Sequence, residues 1–402
     1  MQRTDVMVWR WASLVLVLMV SRNGHADSLV QWLDTFRPVA AEQGISKATW
    51  ERAFAGVVEV DDRVLEKADY QPEFTSEIWD YLDARVNPIA IARGQQMDQR
   101  HSDTLAAVAR RFGVRRSVLL AIWSMESNYG AALERPEHLH YVPRALATLA
   151  YGDPKRKKFG RTQLIAALNI LQAGDVTVEH FSGSWAGAMG QTQFIPTSYL
   201  AFGVDMDGDG RRDIWHSVPD ALATAANLLQ RSGWRSGRTW GYEVTLSAQC
   251  RKLGGQTKRL AQWQALGCTR PGGKAFPRPD DKAELKLLAG EQGPGFLMLR
   301  NFFVLKRYNN ADAYALAVGL LADRLAGYSG MVQEWPRPPE SLNAEEKIEL
   351  QQLLYNKGYY QGAIDGNPGK VTRAAIVRFQ KDTGIAADGA PTQSLLLILR
   401  ER

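Results

Sequence analysis

Between residues 116 and 130 the apolar positions recur with helical spacing. Val118, Ile122 and Glu126 fall at i, i+4 and i+8, and Leu119 and Trp123 widen the same stripe. The spacing predicts a buried helix that Asn128 and Gly130 stop, with Glu126 in its last turn. Upstream, the pattern predicts helices over residues 29–44, 47–54 and 74–97, punctuated by Pro72, Pro88 and Gly94. A shorter one over 101–114 would have Ser102 or Asp103 as cap and Gly113 as stop. Downstream, two helices flank the basic loop at Lys155 to Lys158, and another covers Ala221 to Leu229. Residues 240–288 read as short strands and loops, and a polar turn at Tyr308-Asn309-Asn310 precedes a further buried helix. A Pro-rich linker at 331–340 leads to a tail, 341–402, of three helical runs. The fold class expected is mainly α (α+β), with small β elements and a three-helix C-terminal module.

A carboxylate that ends an apolar stripe is unusual chemistry. The negative end of the helix dipole opposes ionisation of Glu126, and Ile122, Trp123 and Met125 withhold water. A glutamic acid kept protonated near neutral pH can serve as a general acid. The plainer alternative is a Glu turned to the solvent edge of its helix.

Residues 181–203 predict no regular element. Four glycines, small residues, Gln191, Gln193 and Pro196 form a loop of the kind that lines sites on a rigid scaffold. Ser184 lacks the spacing of a nucleophile elbow, so nucleophilic serine catalysis has little support. Asp205, Asp207, Asp209 and Asp213 stand at positions 1, 3, 5 and 9 of an EF-hand-like loop, with Gly210 at position 6. His216 replaces the closing Glu at position 12, and Asp220 could close a longer loop. His138 and His140, two residues apart, read as a polar loop and not as a metal pair.

Composition narrows the setting. The 402 residues are 45% hydrophobic, enough for two or three folded units. Arg3 and Arg10 precede an uncharged ten-residue run at 11–20, and Gly24-His25-Ala26 offers a cleavage site, so residues 1–26 read as a cleaved export signal. The run is short of the roughly 20 residues that span a bilayer, so the membrane would be met only through an uncleaved signal. Removing it lowers the net charge from +6 to +4, a mild excess that suits an anionic polymer. No basic run interleaves with aromatics as in a nucleic-acid groove. An exported chain favours one disulfide between its two cysteines, Cys250 and Cys268.

Glu126-Ser-Asn-Tyr-Gly, then Gly187-Ala-Met-Gly-Gln-Thr-Gln-Phe-Ile-Pro-Thr-Ser-Tyr199, then the acidic loop, resemble the membrane-bound lytic murein transglycosylase B family in order and spacing. The tail resembles peptidoglycan-binding domain 1, through Gly-Tyr-Tyr-x-Gly-x-Ile-Asp-Gly and Arg-Phe-Gln. The resemblance implies a lysozyme-like catalytic region over 27–330 that acts on glycan strands carrying stem peptides. It implies Glu126 as the catalytic acid, and Ser184, Gln193, Tyr308, Asn309, Tyr314 and Tyr81 as substrate-binding residues. It also implies a structural Ca2+ at Asp205, Asp207 and Asp209, with Asp213 and Asp220 as further ligands, and no organic cofactor. The periplasm is the location expected, without a lipid anchor, since no Cys follows the signal.

Ordinary glycosidases need two carboxylates, and no second acid stands in the motif segments that carry the resemblance. A single Glu suits cleavage of the N-acetylmuramic acid–N-acetylglucosamine bond with ring closure to a 1,6-anhydro end. A hydrolytic muramidase and a silent wall-binding scaffold are the other readings. An Asp placed opposite Glu126 would support the first, and the presence of Glu126 argues against the second.

Overall fold

The computed structural model describes residues 28–69 and 77–401. The proposed export signal and Pro72 lie outside them. Among the described residues no helix is long and apolar enough to cross a membrane. The fold is mainly α with small β elements.

The central helix, Arg116–Ser127, is buried on every side and not along one stripe: residues 117–123 are all inaccessible. Helices Asp312–Leu325, Pro88–Arg100, Ser102–Phe112 and Val218–Arg231 sheathe it. Six consecutive apolar residues, 118–123, leave no polar face, the signature of a helix at the centre of a core. It ends where Asn128, Tyr129 and Gly130 take left-handed φ of 51°, 60° and 88°. Tyr129 has no intrinsic preference for that region. It is held there by its O–H, which donates to the Ala90 carbonyl at 3.3 Å, and by its ring, edge-on to Trp123.

Helices Val142–Gly152 and Lys157–Ala173 pack face to face. Gly160 permits the contact, because a Cβ there would lie 2.5 Å from the Ala150 nitrogen.

In the N-terminal third the structure bears out one reading and corrects two. Pro88 does punctuate the run, by opening a helix with Asn87 as cap after helix Ile78–Asp83 has ended. Gly94 is interior to that helix and stops nothing; Leu325 and Tyr129 press on it where a Cβ would stand. Neither Ser102 nor Asp103 caps: the helix begins at Ser102, whose hydroxyl accepts from Arg116. His140 also departs from a polar loop. It is 3% exposed and its Nδ1 lies 2.7 Å from Asp61 Oδ2. Burial alone would raise the Asp61 pKa, and the pairing with His140 holds it below its ordinary value.

A four-stranded antiparallel sheet follows, in the order Gly241–Val244, Gly295–Met298, Lys282–Glu291, Thr257–Arg259. Its small core holds Trp263 and the disulfide between Cys250 and Cys268, whose Cα atoms are 5.9 Å apart. Three C-terminal helices, Ala344–Asn356, Lys370–Asp382 and Gln393–Glu401, enclose a separate core of Leu350, Leu354, Ile376, Phe379 and Leu396. The Pro-rich segment before them is tied down. Trp335 stacks on Phe296 with ring centroids 6.1 Å apart, and Arg337 reaches Asp83 through two bonds of 2.7 Å. Lys347 adds bonds to Asp80 and Asp83 at 2.8 and 2.7 Å.

Candidate active site

Glu126 occupies the last turn of the central helix, half-buried. Burial pushes its pKa up to about 7, against the opposing pull of a hydrogen bond from Tyr314 and of the Arg85 charge. Among the described residues, no second carboxylate acts on its ionisation. The Tyr314 hydroxyl donates to Glu126 Oε1 at 2.5 Å, across 188 residues of sequence. That reach exists because helix Asp312–Leu325 lies along the central helix and brings Tyr314, in its first turn, to the opposite helix's last turn.

Tyr308 lies parallel to Tyr314, with centroids 6.4 Å apart and 14° between planes. Its hydroxyl donates to the Thr192 carbonyl at 2.5 Å. Burial, with the nearby Glu126 charge, holds both phenols protonated, far above their ordinary value. Tyr81 comes near enough to act on the ionisation of Tyr314, and the Arg85 guanidinium sits 4.8 Å above its ring.

The Gly-rich loop folds on itself. Met189 bridges Gly183 and Phe194, and Ser182–Gly183 pairs with His140–Tyr141. Gly190, at φ 66°, passes against Ile214, where a Cβ would meet the Ile214 oxygen at 2.5 Å. Ser184 Oγ accepts from Ala188 N–H at 3.0 Å and braces this turn. Gln193, at φ 50°, donates from Nε2 to the Gly190 carbonyl at 2.9 Å. The loop is fastened to the catalytic helix by Ser127, whose hydroxyl donates to the Gln191 carbonyl at 2.6 Å.

The structure therefore brings Glu126, Tyr308, Tyr314 and Tyr81 together, with Gln193 next to the Thr192 carbonyl that holds Tyr308. Asn309 is exposed, and its Oδ1 accepts from Ala311 N–H, so it shapes the turn between the two tyrosines. Arg85 was not among the residues read from sequence. Its signal was present, since it stands four residues after Tyr81 in a helical pattern.

In the acidic loop, carboxylate oxygens of Asp205, Asp207 and Asp209 lie within 4.8 Å of one another. Oxygen ligands converging this way fit a hard cation such as calcium. Asp213 and Asp220 are engaged differently. Asp213 Oδ1 accepts from the N–H groups of Trp215 and His216, both at 2.9 Å. Asp220, fully buried, accepts from Met206 N–H and Asp213 N–H, each at 2.8 Å, and so ties both ends of the loop to helix Val218–Arg231.

Two family profiles match the chain: the Transglycosylase SLT domain over residues 28–323, and the Putative peptidoglycan binding domain over 343–399. Membrane-bound lytic murein transglycosylase B of Escherichia coli is 29% identical over 247 residues, 60% of this chain; the chain spans 65% of that relative's length. The solved structure of SltB3 from Pseudomonas aeruginosa, in complex with NAG-anhNAM-pentapeptide, is 46% identical. It covers 93% of this chain and all of its own, with a TM-score of 0.74. The Escherichia coli lytic transglycosylase SLT35 in complex with calcium is 25% identical, covers 74% of this chain and 92% of its own, and has a TM-score of 0.61. The fold is thus the lysozyme-like one that the motifs implied. With its matched region running through every residue of the Glu126 site, the chain belongs to the transglycosylase SLT family and carries a peptidoglycan-binding domain at its C-terminal end.

Proposed function

We propose that the protein is a lytic transglycosylase that cleaves the N-acetylmuramic acid–N-acetylglucosamine bond of peptidoglycan without water and leaves 1,6-anhydro ends. The observation that carries this reading is Glu126: a half-buried carboxyl with a pKa near 7, hydrogen-bonded to Tyr314 and, among the described residues, with no carboxylate partner acting on it. Tyr314 anchors Oε1, so the proton to be given is held on Oε2. Glu126 gives that proton to the bridging oxygen, and the bond from C1 to that oxygen breaks. The ionised carboxylate then takes the proton of the sugar's C6 hydroxyl as that oxygen bonds to C1. An intramolecular hydroxyl has the advantage of high effective molarity over water. Tyr81, Tyr308 and Gln193 position the sugars, and Ser184 and Asn309 shape the turns that present them.

Asp205, Asp207 and Asp209 would hold a calcium ion, with Asp213 and Asp220 bracing the loop around it. When bound, the ion neutralises three carboxylates and stiffens the segment ahead of helix Val218–Arg231. The C-terminal module, residues 341–402, holds the enzyme on the wall. The location is the periplasm, reached by the signal at 1–26. A purified Glu126→Gln variant tests the assignment. It should bind sacculi as the parent does and lose at least about a hundredfold in muropeptide release. Retention of a tenth of the parent's turnover would move the acid elsewhere.

A further inference from the structure

Beside the C-terminal end of the catalytic helix lies a cavity of about 550 Å³, lined by none of Glu126, Tyr81, Gln193, Tyr308 and Tyr314. Its floor includes Trp123, which is 2% exposed. The indole N–H of Trp123 is buried without an acceptor among the described residues. A buried donor left unpaired is costly and rare in native structures. Arg93 and Arg100 stand seven residues apart on one face of helix Pro88–Arg100 and line the same cavity. Neither guanidinium has an ion-pair partner among the described residues. The one acid on their helix, Asp98, is taken by Arg116 at 2.8 Å. One exposed acid, Glu134, lines the cavity as well. Asn128, Gln191, Ser182, His101 and His216 line it too, so its charged or unpaired groups are two guanidinium forks, the orphan N–H and Glu134, beside the apolar rings of Tyr129 and Trp215.

Two guanidinium forks without ion-pair partners, against one exposed carboxylate, leave a cationic excess that calls for an anionic acceptor, and such forks match the two oxygens of a carboxylate. We infer that this cavity is a second binding site, which takes a carboxylate of the peptide borne by N-acetylmuramic acid in the substrate. The inference rests on the peptidoglycan reading above. It adds that the enzyme recognises the peptide as well as the sugar, through Arg93, Arg100 and the Trp123 N–H. The aromatic rings fit the aliphatic parts of such a peptide, and the volume falls in the range of sites for small ligands.

Binding to the Glu126→Gln protein, which holds ligands without cleaving them, separates the claims. The probes are a NAG tetramer, which has no carboxylate, NAG-NAM, which has only the lactyl one, and NAG-NAM-pentapeptide. The pentapeptide ligand should move the Trp123 indole N–H resonance, and the other two should leave it in place. Adding Arg93→Gln and Arg100→Gln, one half-buried and one exposed helix position, should weaken pentapeptide binding about tenfold and leave tetramer affinity unchanged. The inference is overturned if NAG-NAM moves the resonance as far, or if the double change leaves pentapeptide affinity intact. Tetramer binding is the independent control on the sugar site, so the loss of that alone would indict the functional reading and not this cavity.

Discussion

Replacing Glu126 by Gln should stabilise the protein at alkaline pH, by an amount the site itself sets. The carboxyl ordinarily titrates at 4.5 and in the fold at about 7, because burial outweighs the Tyr314 hydrogen bond and the Arg85 charge. Between those values the folded chain binds more protons at this group than the unfolded one. Stability therefore falls as pH rises through this window, and the loss is complete above the folded value. At about 1.4 kcal/mol per pH unit, the ionised carboxylate costs the fold roughly 3 kcal/mol at most; the side chain's residual exposure makes this an upper figure. Glutamine keeps the shape and carries no charge. Thermal melts of the two proteins should thus separate by several degrees at about pH 8, with Glu126→Gln the higher, and converge at about pH 4.5. If Gln melts lower than Glu at the alkaline end, or if the gap does not change with pH, the carboxyl is not held protonated by its surroundings and the acid assignment loses its physical basis.

Tyr314→Phe removes the bond that favours the ionised form, so the alkaline limb of kcat/KM against pH should move up by about one to two pH units; an unmoved limb would mean that Tyr314 does not act on the acid. In metal-stripped protein, added calcium should raise Tm, and Asp207→Ala should abolish the rise; no response in the parent would leave only an acidic turn. Asp83→Ala strands Arg337 and Lys347 at the junction between the C-terminal module and the segment that carries Tyr81. Denaturant unfolding should show a loss of about 3 kcal/mol, and an unchanged midpoint would mean that the junction contributes nothing to stability.

What could be read before the fold was seen depended on how local the cause was. The place of Glu126 in the last turn of a buried helix was legible because the stripe and the stop lie within fifteen residues. The Asp205–Asp209 turn was legible for the same reason. Gly94 was read as punctuation, yet it lies inside a helix, because its constraint comes from Leu325, far along the chain. Ser102 was misread as a cap because Arg116 competes for its hydroxyl. The 331–340 segment has the composition of a free linker, yet Arg337 pairs with Asp83 across 254 residues, a contact no local pattern encodes. Trp123 counted only as part of an apolar stripe; that its N–H lacks a partner emerges only from packing.

In the proposed reaction the C6 hydroxyl, and not water, closes onto C1. Digesting purified sacculi in heavy-oxygen water, then treating the muropeptides with borohydride before mass analysis, tests it directly. A single acid, with no partner carboxylate acting on it among the described residues, predicts ends one water lighter than hydrolytic ones, unlabelled and resistant to reduction. Labelled ends that reduce with borohydride would make the enzyme a hydrolase.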